Sequence, residues 1–461
     1  TRWREAMKRR ALSTREVFLK HLREVHAVYG VATGMTAPPV IDPRGGNTYK
    51  KFKAASRGGI FVWTRPMTSS VLPTYKRVPL AFDHGKGMRL YTEDGKEYLD
   101  FGAGVAVTSL GHAHPHLVKA LTDQAQKVWH TSNIYVIPGQ EKLAKRLTEA
   151  TFADTVFFTN SGTEAIEGCL KLTRKYHSAN GNPERIEIIG FNGSFHGRSY
   201  AAINAAGNPS YVEGFGPRLP GFTHVPFGDL EAVKAKIGPT TAGIIVEPVQ
   251  GEGGVRAAPE GFLKGLRRLA DDNGILLVYD EVQSGAARTG KMWAHEWESA
   301  PPDAMACAKG IGGGFPMGMF MATREAAKGM VRGVHGTTFG GNPLAMAVGN
   351  AVYDEISKPD FLAHVNKMAN HLGQALEGVK DRHPNLVVET RGKGLLRGLK
   401  LSIDPKGIQG KLRDSKRVLM GVAGDNVLRM APPLIIDEAQ IAQAVDAIDA
   451  VLSEQMTQAS A

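Results

Sequence analysis

Asp280 and Lys309 are the pair in this chain whose types and spacing point most directly to chemistry. The acid closes the apolar run Ile275-Leu276-Leu277-Val278-Tyr279 and is followed by Glu281-Val282-Gln283, while the amine follows Met305-Ala306-Cys307-Ala308. An acid and an amine over one crevice suit pyridoxal phosphate. A lysine holds that cofactor as a Schiff base, and a carboxylate opposite the ring nitrogen keeps the nitrogen protonated. At about 4 Å and an effective dielectric near 20, that second contact is worth roughly 4 kcal/mol, or about 3 pKa units on the ring nitrogen. Taken alone, the two residues fit an ordinary buried salt bridge at least as well.

For the pair to meet, the chain must bring two strand ends together. Ile275–Tyr279 is short, branched and unalternating, the pattern of a fully buried strand in a parallel sheet, where chemistry sits at the carboxyl end. The gap to Lys309 fits a crossover and a next element. Three more short strands end in candidate residues. Phe157–Asn160 runs into Ser161-Gly162-Thr163-Glu164, a capping box opening a helix to about His177, whose free amides make an anion site or serve simply as a helix cap. Ile186–Phe191 leads to Ser194-Phe195-His196-Gly197-Arg198, where Phe195 is either core or a stacking residue. Ile244–Pro248 leads to Gln250-Gly251-Glu252-Gly253-Gly254, whose acid overlooks the same rim as Asp280. After Lys309 come Gly310–Pro316, which is not a dinucleotide fingerprint, and a second glycine-rich loop, His335–Pro343, bearing Thr337 and Thr338.

Composition narrows the classes. With 461 residues, 42% of them hydrophobic, the chain has enough for two or three domains around a substantial core. No apolar run approaches the ~18 residues of a membrane helix. Two cysteines, Cys169 and Cys307, imply no disulfide framework and make a reducing, cytoplasmic setting the default. A net charge of +11 invites a nucleic-acid partner, yet residues 1–66 hold 14 Lys+Arg against 4 Asp+Glu while the remaining 395 hold 42 against 41. The excess is confined to a leader, so neither nucleic acid nor membrane is expected as a partner. The leader has one amphipathic stretch, Glu16–Tyr29, and a Pro/Gly-rich loop, Pro38–Gly59. Its Arg-rich, acid-poor make-up also suits a transit peptide. The plainer expectation is an appendage that packs poorly before a fold beginning near Met67.

Two motifs invite other chemistry. His112, His114 and His116 alternate, but no Cys or carboxylate partner lies nearby in sequence, so no metal is expected. Gly285-Ala286-Ala287-Arg288-Thr289-Gly290-Lys291 imitates the phosphate loop of an ATPase. Met292 stands where a magnesium-binding hydroxyl is needed, and both ATPase motifs would be consecutive on one strand, so that reading is remote. In the N-terminal part, a Gly85-Lys86-Gly87 turn precedes Arg89–Tyr91, which an Asp94-Gly95 turn joins to Tyr98–Phe101 as a hairpin. Beyond about residue 340, Leu344–Ile356 and Phe361–Val379 read as helices, Gly392–Leu401 as a strand pair and Asp437 as the start of a last helix. The expectation is an α/β domain followed by a smaller α+β one.

In order, the motifs GHAHP, NSGTEA, FHGR, EPVQGEGGV, DEVQSG, AKGIGGGFP, HGTTFGGNPLA and LRMAPPL make the chain, from about Val78 to Leu452, resemble the class III (omega) pyridoxal-phosphate aminotransferases. Within them it is most similar to the acetylornithine branch of arginine biosynthesis. The resemblance implies a fold type I transferase, with a large domain of mostly parallel sheet (126–340), a small domain (341–461) and an N-terminal segment (67–125) joining the latter. It implies that Lys309 bonds the cofactor and then shuttles a proton, while Asp280 faces the ring nitrogen. Val282 and Phe195 would take the two ring faces and Gln283 the ring hydroxyl. Gly162 and Thr163 would hold the phosphate, with Thr338 reaching in from a second subunit, so a homodimer with shared sites is implied.

On the substrate side the resemblance implies that Arg198 and Arg429 hold carboxylates bidentately. Glu252 would neutralise Arg429 for the amino donor and release it for 2-oxoglutarate, and Thr337 would line the same pocket. Ornithine aminotransferases usually place a tyrosine where Val105 stands; valine leaves room for an acylated α-amine. The implied reaction converts N2-acetyl-L-ornithine and 2-oxoglutarate to N-acetyl-L-glutamate 5-semialdehyde and glutamate. N-succinyl-diaminopimelate, ornithine and 4-aminobutyrate are alternative donors. A binding-only pyridoxal-phosphate protein would not need Glu252 and both arginines.

Overall fold

The structure is a computed structural model that describes residues 70–460. The leader 1–66 and the expected start near Met67 lie outside the described residues. The chain divides into two units, Thr1–Arg77 and Val78–Ala461. Of the first, residues 70–77 are described and form no helix or strand.

The second unit is built on a seven-stranded sheet, in the order Thr155–Thr159, Gly318–Ala322, Ala304–Ala308, Leu276–Asp280, Thr241–Val246, Glu187–Phe191, Phe222–Val225. Gly318–Ala322 runs antiparallel to both neighbours, and the other ladders are parallel. That reversal has a simple cause. Only nine residues separate Ala308 from Gly318, fewer than the roughly 12 a parallel crossover needs. Both faces of the sheet are covered, which explains the unbroken apolar runs: every residue of Thr241–Val246, Leu276–Asp280, Ala304–Ala308 and Gly318–Ala322 is buried. Ile166, Cys169 and Leu170 of the Gly162–Ala179 helix pack with Val278, Ala306 and Phe320. Leu266 and Ala270 of the Phe262–Asn273 helix belong to the core that holds Ile244, Leu277 and Tyr279. At about 1.5–3 kcal/mol per large aliphatic side chain, this burial supports the polar groups the sheet draws inward at its rim.

Three N-terminal strands, His84–Lys86, Arg89–Tyr91 and Glu97–Asp100, form a smaller sheet with Val418–Leu419, which pairs in parallel with Leu99–Asp100. Gly85-Lys86-Gly87 is not the turn itself. Lys86 pairs with Arg89, so the turn falls at Gly87-Met88, where Gly87 takes a φ of 57°. A further antiparallel sheet has the order Val387–Lys393, Leu396–Leu401, Val427–Met430, Gly421–Ala423. Its first strand begins five residues before the expected pair at Gly392. The helices expected from Leu344 and Phe361 are Pro343–Ile356 and Pro359–Arg382, each opened by proline in the first turn.

The three alternating histidines diverge. His112 Nε2 meets Asp100 at 2.8 Å, His116 Nε2 meets Asp354 at 3.2 Å, and His114 precedes the Pro115–Ala125 helix. Gly285–Lys291 opens no helix. Ala286 and Ala287 take φ values of 52° and 69°, and buried Arg288 donates to the carbonyls of Leu395 and Pro432 instead of facing a phosphate.

Glu281, next to Asp280, is wholly buried and accepts from the N–H groups of Ala294 (2.6 Å) and His295 (3.0 Å), with His295 Nδ1 at 2.9 Å. Truncating it strands three polar groups away from water. Glu281→Ala is therefore expected to cost roughly 3 kcal/mol, read as a lower urea midpoint. A midpoint matching the wild type would show that the site relaxes without the carboxylate.

Candidate active site

The carboxyl ends of the parallel strands meet at one rim, where a cavity of about 450 Å³ opens. The central ladder explains how the two leading candidates reach it. Asp280 pairs with Ala306, so the chain beyond Ala308 emerges beside the acid, and Asp280 and Lys309 line the same cavity. Lys309 leaves its strand with a φ of 49°, a left-handed conformation that costs a non-glycine residue about 1–2 kcal/mol. Ser109, fully buried, donates to the Gly310 carbonyl at 2.7 Å and fixes the peptide that follows. Burial pushes the Lys309 amine below its ordinary range; the Glu252 carboxylate opposes this and the Arg429 charge adds to it.

Asp280 is held on two sides. One oxygen accepts from the Val282 N–H at 2.9 Å, and the other lies 2.7 Å from His196 Nδ1. Burial alone would lower the His196 pKa, but the hydrogen bond and charge of Asp280 outweigh it and raise the pKa. His196 Nε2 is buried without a partner. Glu247 ends the neighbouring strand and accepts from the N–H groups of Phe195 (2.9 Å) and Gly251 (3.2 Å). Burial pushes its carboxyl up to about 7, His196 acting against this and Asp280 with it. Two acids and an imidazole share one dry corner, and it is the Glu247 carboxyl that burial raises there.

The Gly162–Ala179 helix begins at the same rim. Ser161 Oγ accepts from Glu164 N at 3.4 Å, while the Glu164 carboxylate reaches back to Asn160 N at 2.6 Å, one residue beyond a standard capping box. Close approach here depends on two glycines. A Cβ on Gly162 would lie 2.7 Å from Val282 Cγ1, and one on Gly197, whose φ is 119°, would lie 2.3 Å from Thr163 Oγ1.

Two guanidinium groups complete the site. Arg429, buried in Val427–Met430, is ion-paired with Glu252. Arg198 lines the cavity and stacks over the rings of Phe195 (5.4 Å) and Tyr211 (4.2 Å). Gln283 also lines it, and its Oε1 is buried without a partner.

Nine of the residues singled out from sequence therefore share one wall: Gly162, Thr163, Phe195, Arg198, Glu252, Asp280, Val282, Gln283 and Lys309. Arg429 joins them through Glu252. Thr337 and Thr338 stand apart. Thr337 Oγ1 accepts from Gly340 N at 3.1 Å and lines a groove beside Phe157 and Phe158, and Thr338 is exposed. Their loop is held there because His335 packs on Phe157 and Phe320. Val105 is 45% exposed on a left-handed turn, Ala103–Ala106, in which φ runs from 48° to 68°; from this segment the cavity takes Val107. Sequence reading passed over His196 and Glu247, although both sit inside quoted motifs at strand ends. Tyr211 offered no sequence signal.

The family described as aminotransferase class-III matches residues 71–452. An acetylornithine aminotransferase of Rhodobacter capsulatus is 55% identical over 392 residues, covering 85% of this chain and 100% of that protein. A succinylornithine transaminase/acetylornithine aminotransferase of Pseudomonas aeruginosa is 43% identical over 390 residues, covering 83% of this chain and 95% of that one. Among solved structures, the ornithine aminotransferase of Toxoplasma gondii has a TM-score of 0.81 at 30% identity, covering 84% of this chain and 94% of that one. The N-acetylornithine aminotransferase of Stenotrophomonas maltophilia has a TM-score of 0.72 at 34% identity, covering 83% and 98%. A lysine and an acid at adjoining strand ends, the fold type I sheet that sets them there and a family match across 71–452 agree, and the chain belongs to the class III aminotransferases, enzymes dependent on pyridoxal phosphate.

Proposed function

We propose that this aminotransferase moves the distal amine of N2-acetyl-L-ornithine to 2-oxoglutarate, giving N-acetyl-L-glutamate 5-semialdehyde and L-glutamate. The observation that carries the reading is a pair of guanidinium groups at the site: Arg429, tied to the cavity-lining Glu252, and Arg198, which lines the cavity and among the described residues has no acidic partner. Substrates that differ in charge at one end need one fixed cation and one that can be masked. The acylated donor is favoured by relatives such as the R. capsulatus protein, matched over its whole length.

The residues fit pyridoxal phosphate. Gln283 Oε1 is a buried acceptor awaiting a partner, the first amides of a helix offer an anion site, and glycine at 162 and 197 leaves the space open. In this reading Gly162 and Thr163 would hold the phosphate, Val282 and Phe195 would take the ring faces, Gln283 would meet the ring hydroxyl and Asp280 the ring nitrogen. When bound, the cofactor supplies an electron sink for charge developing at the amine-bearing carbon. Lys309, its amine made less basic by burial, would anchor the cofactor and then move the proton at that carbon. Asp280, oriented by His196 and the Val282 N–H, would face the ring nitrogen. Arg198 holds the donor's carboxylate. Glu252 masks Arg429 while the amino donor is bound and withdraws when a 2-oxoglutarate carboxylate takes its place. Leaving that buried cation unpaired would cost about 3–5 kcal/mol.

A homodimer in the cytoplasm completes the proposal. Ile134, Tyr135 and Val136 are 81%, 65% and 78% exposed, beside Trp129 at 65% and Phe339 at 58%; so large an apolar display calls for a partner. Thr338, remote from its own chain's cavity, would then serve the neighbour's phosphate, with Thr337 at the neighbour's substrate pocket. No helix among the described residues is long and apolar enough to cross a membrane. Residues 126–340 form the cofactor domain in this reading and 341–461 the small one; the pairing of Leu99 with Val418 supports joining the N-terminal part of the second unit to the latter.

Wild-type protein supplied with cofactor should be yellow, and Lys309→Ala should lose that absorbance together with single-turnover amine transfer; a colourless wild type would refute the lysine's role. Asp280→Asn should retain cofactor yet slow kcat at least on the order of 10²-fold, since an amide cannot hold the ring nitrogen's charge. An unchanged rate would remove Asp280 from the chemistry. With 2-oxoglutarate as acceptor, kcat/KM should be highest for acetylornithine among that donor, succinyl-diaminopimelate, ornithine and 4-aminobutyrate. A free diamino acid or 4-aminobutyrate in first place would overturn the acylated-donor assignment.

A further inference from the structure

Arg198 differs from Arg429 in what holds it. Among the described residues it makes no hydrogen bond and no ion pair, whereas Arg429 is committed to Glu252. Its position comes from two aromatic faces. The guanidinium carbon lies 4.2 Å from the Tyr211 ring centroid and 5.4 Å from that of Phe195, and the two rings meet edge to face at 5.7 Å. Tyr211 ends a short 3-10 turn, Pro209–Tyr211, that is locked from below. The Asn208 side chain accepts from Ser210 N at 3.1 Å, and the preceding Gly207 carbonyl accepts from Gly193 N at 3.3 Å, tying the turn to the strand end that carries Phe195.

An acidic partner would hold Arg198 by the same N–H groups that a substrate carboxylate must use, and would have to be displaced at each turnover. An aromatic face attracts the cation through its quadrupole and leaves all five N–H donors free. Burial keeps the Tyr211 phenol above its ordinary range, the Arg198 charge pulling the other way, so the ring stays neutral at working pH.

We propose that Tyr211 is a positioning residue for substrate recognition: its ring holds the Arg198 guanidinium in register for a carboxylate without occupying the donors. This rests on Arg198 being the carboxylate-binding arginine of the proposed function. The role belongs to the ring and not to the hydroxyl.

The test compares steady-state kinetics of holoenzyme with acetylornithine and with its α-carboxamide, which presents no carboxylate. Tyr211→Leu should raise KM for the acid roughly three- to thirtyfold, with kcat within about twofold of wild type and KM for the amide unchanged. Tyr211→Phe should restore the wild-type KM. Should Tyr211→Leu fail to fold, judged by cofactor absorbance and thermal midpoint, Tyr211→Gln takes its place with the same expected split. An unchanged KM for the acid, an equal rise for acid and amide, or a Phe variant as impaired as Leu would each overturn the proposal. Arg198→Ala separates the two layers. If it leaves KM for the acid unchanged, the arginine's assignment fails and Tyr211's role with it; if it raises that KM while Tyr211→Leu does not, only the role of Tyr211 falls.

Discussion

The site depends on the register between two neighbouring parallel strands. Asp280 stands opposite Ala306, and three residues further on the second strand's chain delivers Lys309. A slip of one residue would turn every side chain of either strand to the opposite face of the sheet. Apolar residues cover both faces of these strands, so the register is set by packing far from the chemistry: Leu277 and Tyr279 on one side, Val278 and Ala306 on the other. The acid and the amine are consequences of that packing, placed where the ladder runs out.

Parallel strands impose a second condition, because their carboxyl ends crowd together and bring their polar residues with them. Glu247, at the end of one strand, and Asp280 and Glu281, consecutive at the end of its neighbour, are all buried. Each is handled differently. Glu281 is consumed by three N–H donors and becomes architecture. Asp280 is paired with His196. Glu247, with two backbone donors and a second acid nearby, moves toward its neutral form. Different partners therefore sort three similar carboxylates into three settings: Glu247 and Asp280 line the cavity, and Asp280 does so with an imidazole against it.

Much of the site was legible because its residues sit in compact motifs at strand ends. A short branched run ending in an acid, a capping signature after another such run, and a lysine before a glycine-rich stretch each state their own local structure. Thr337 and Thr338 were less legible, since a hydroxyl-bearing glycine loop carries no sign of which surface it will lie against; packing of His335 on Phe157 and Phe320 decides that. His196 was passed over because a histidine beside an aromatic looks like core until its neighbour across the sheet is known. The Gly87 turn was displaced for a smaller reason: pairing between Lys86 and Arg89 leaves two residues for the reversal, and a left-handed glycine belongs inside it.

By itself the sequence determined the class of fold, the order of its elements and the residues able to do chemistry, because period, capping and strand-end chemistry are properties of a few neighbouring residues. The tertiary structure decided which of those residues share a cavity, which acid meets an imidazole and which arginine, among the described residues, has no acidic partner. Those outcomes turn on burial and on contacts between segments far apart in the chain, as when Glu252 closes on Arg429 across 177 positions. No local pattern encodes such a distance, whereas the packed sheet fixes it.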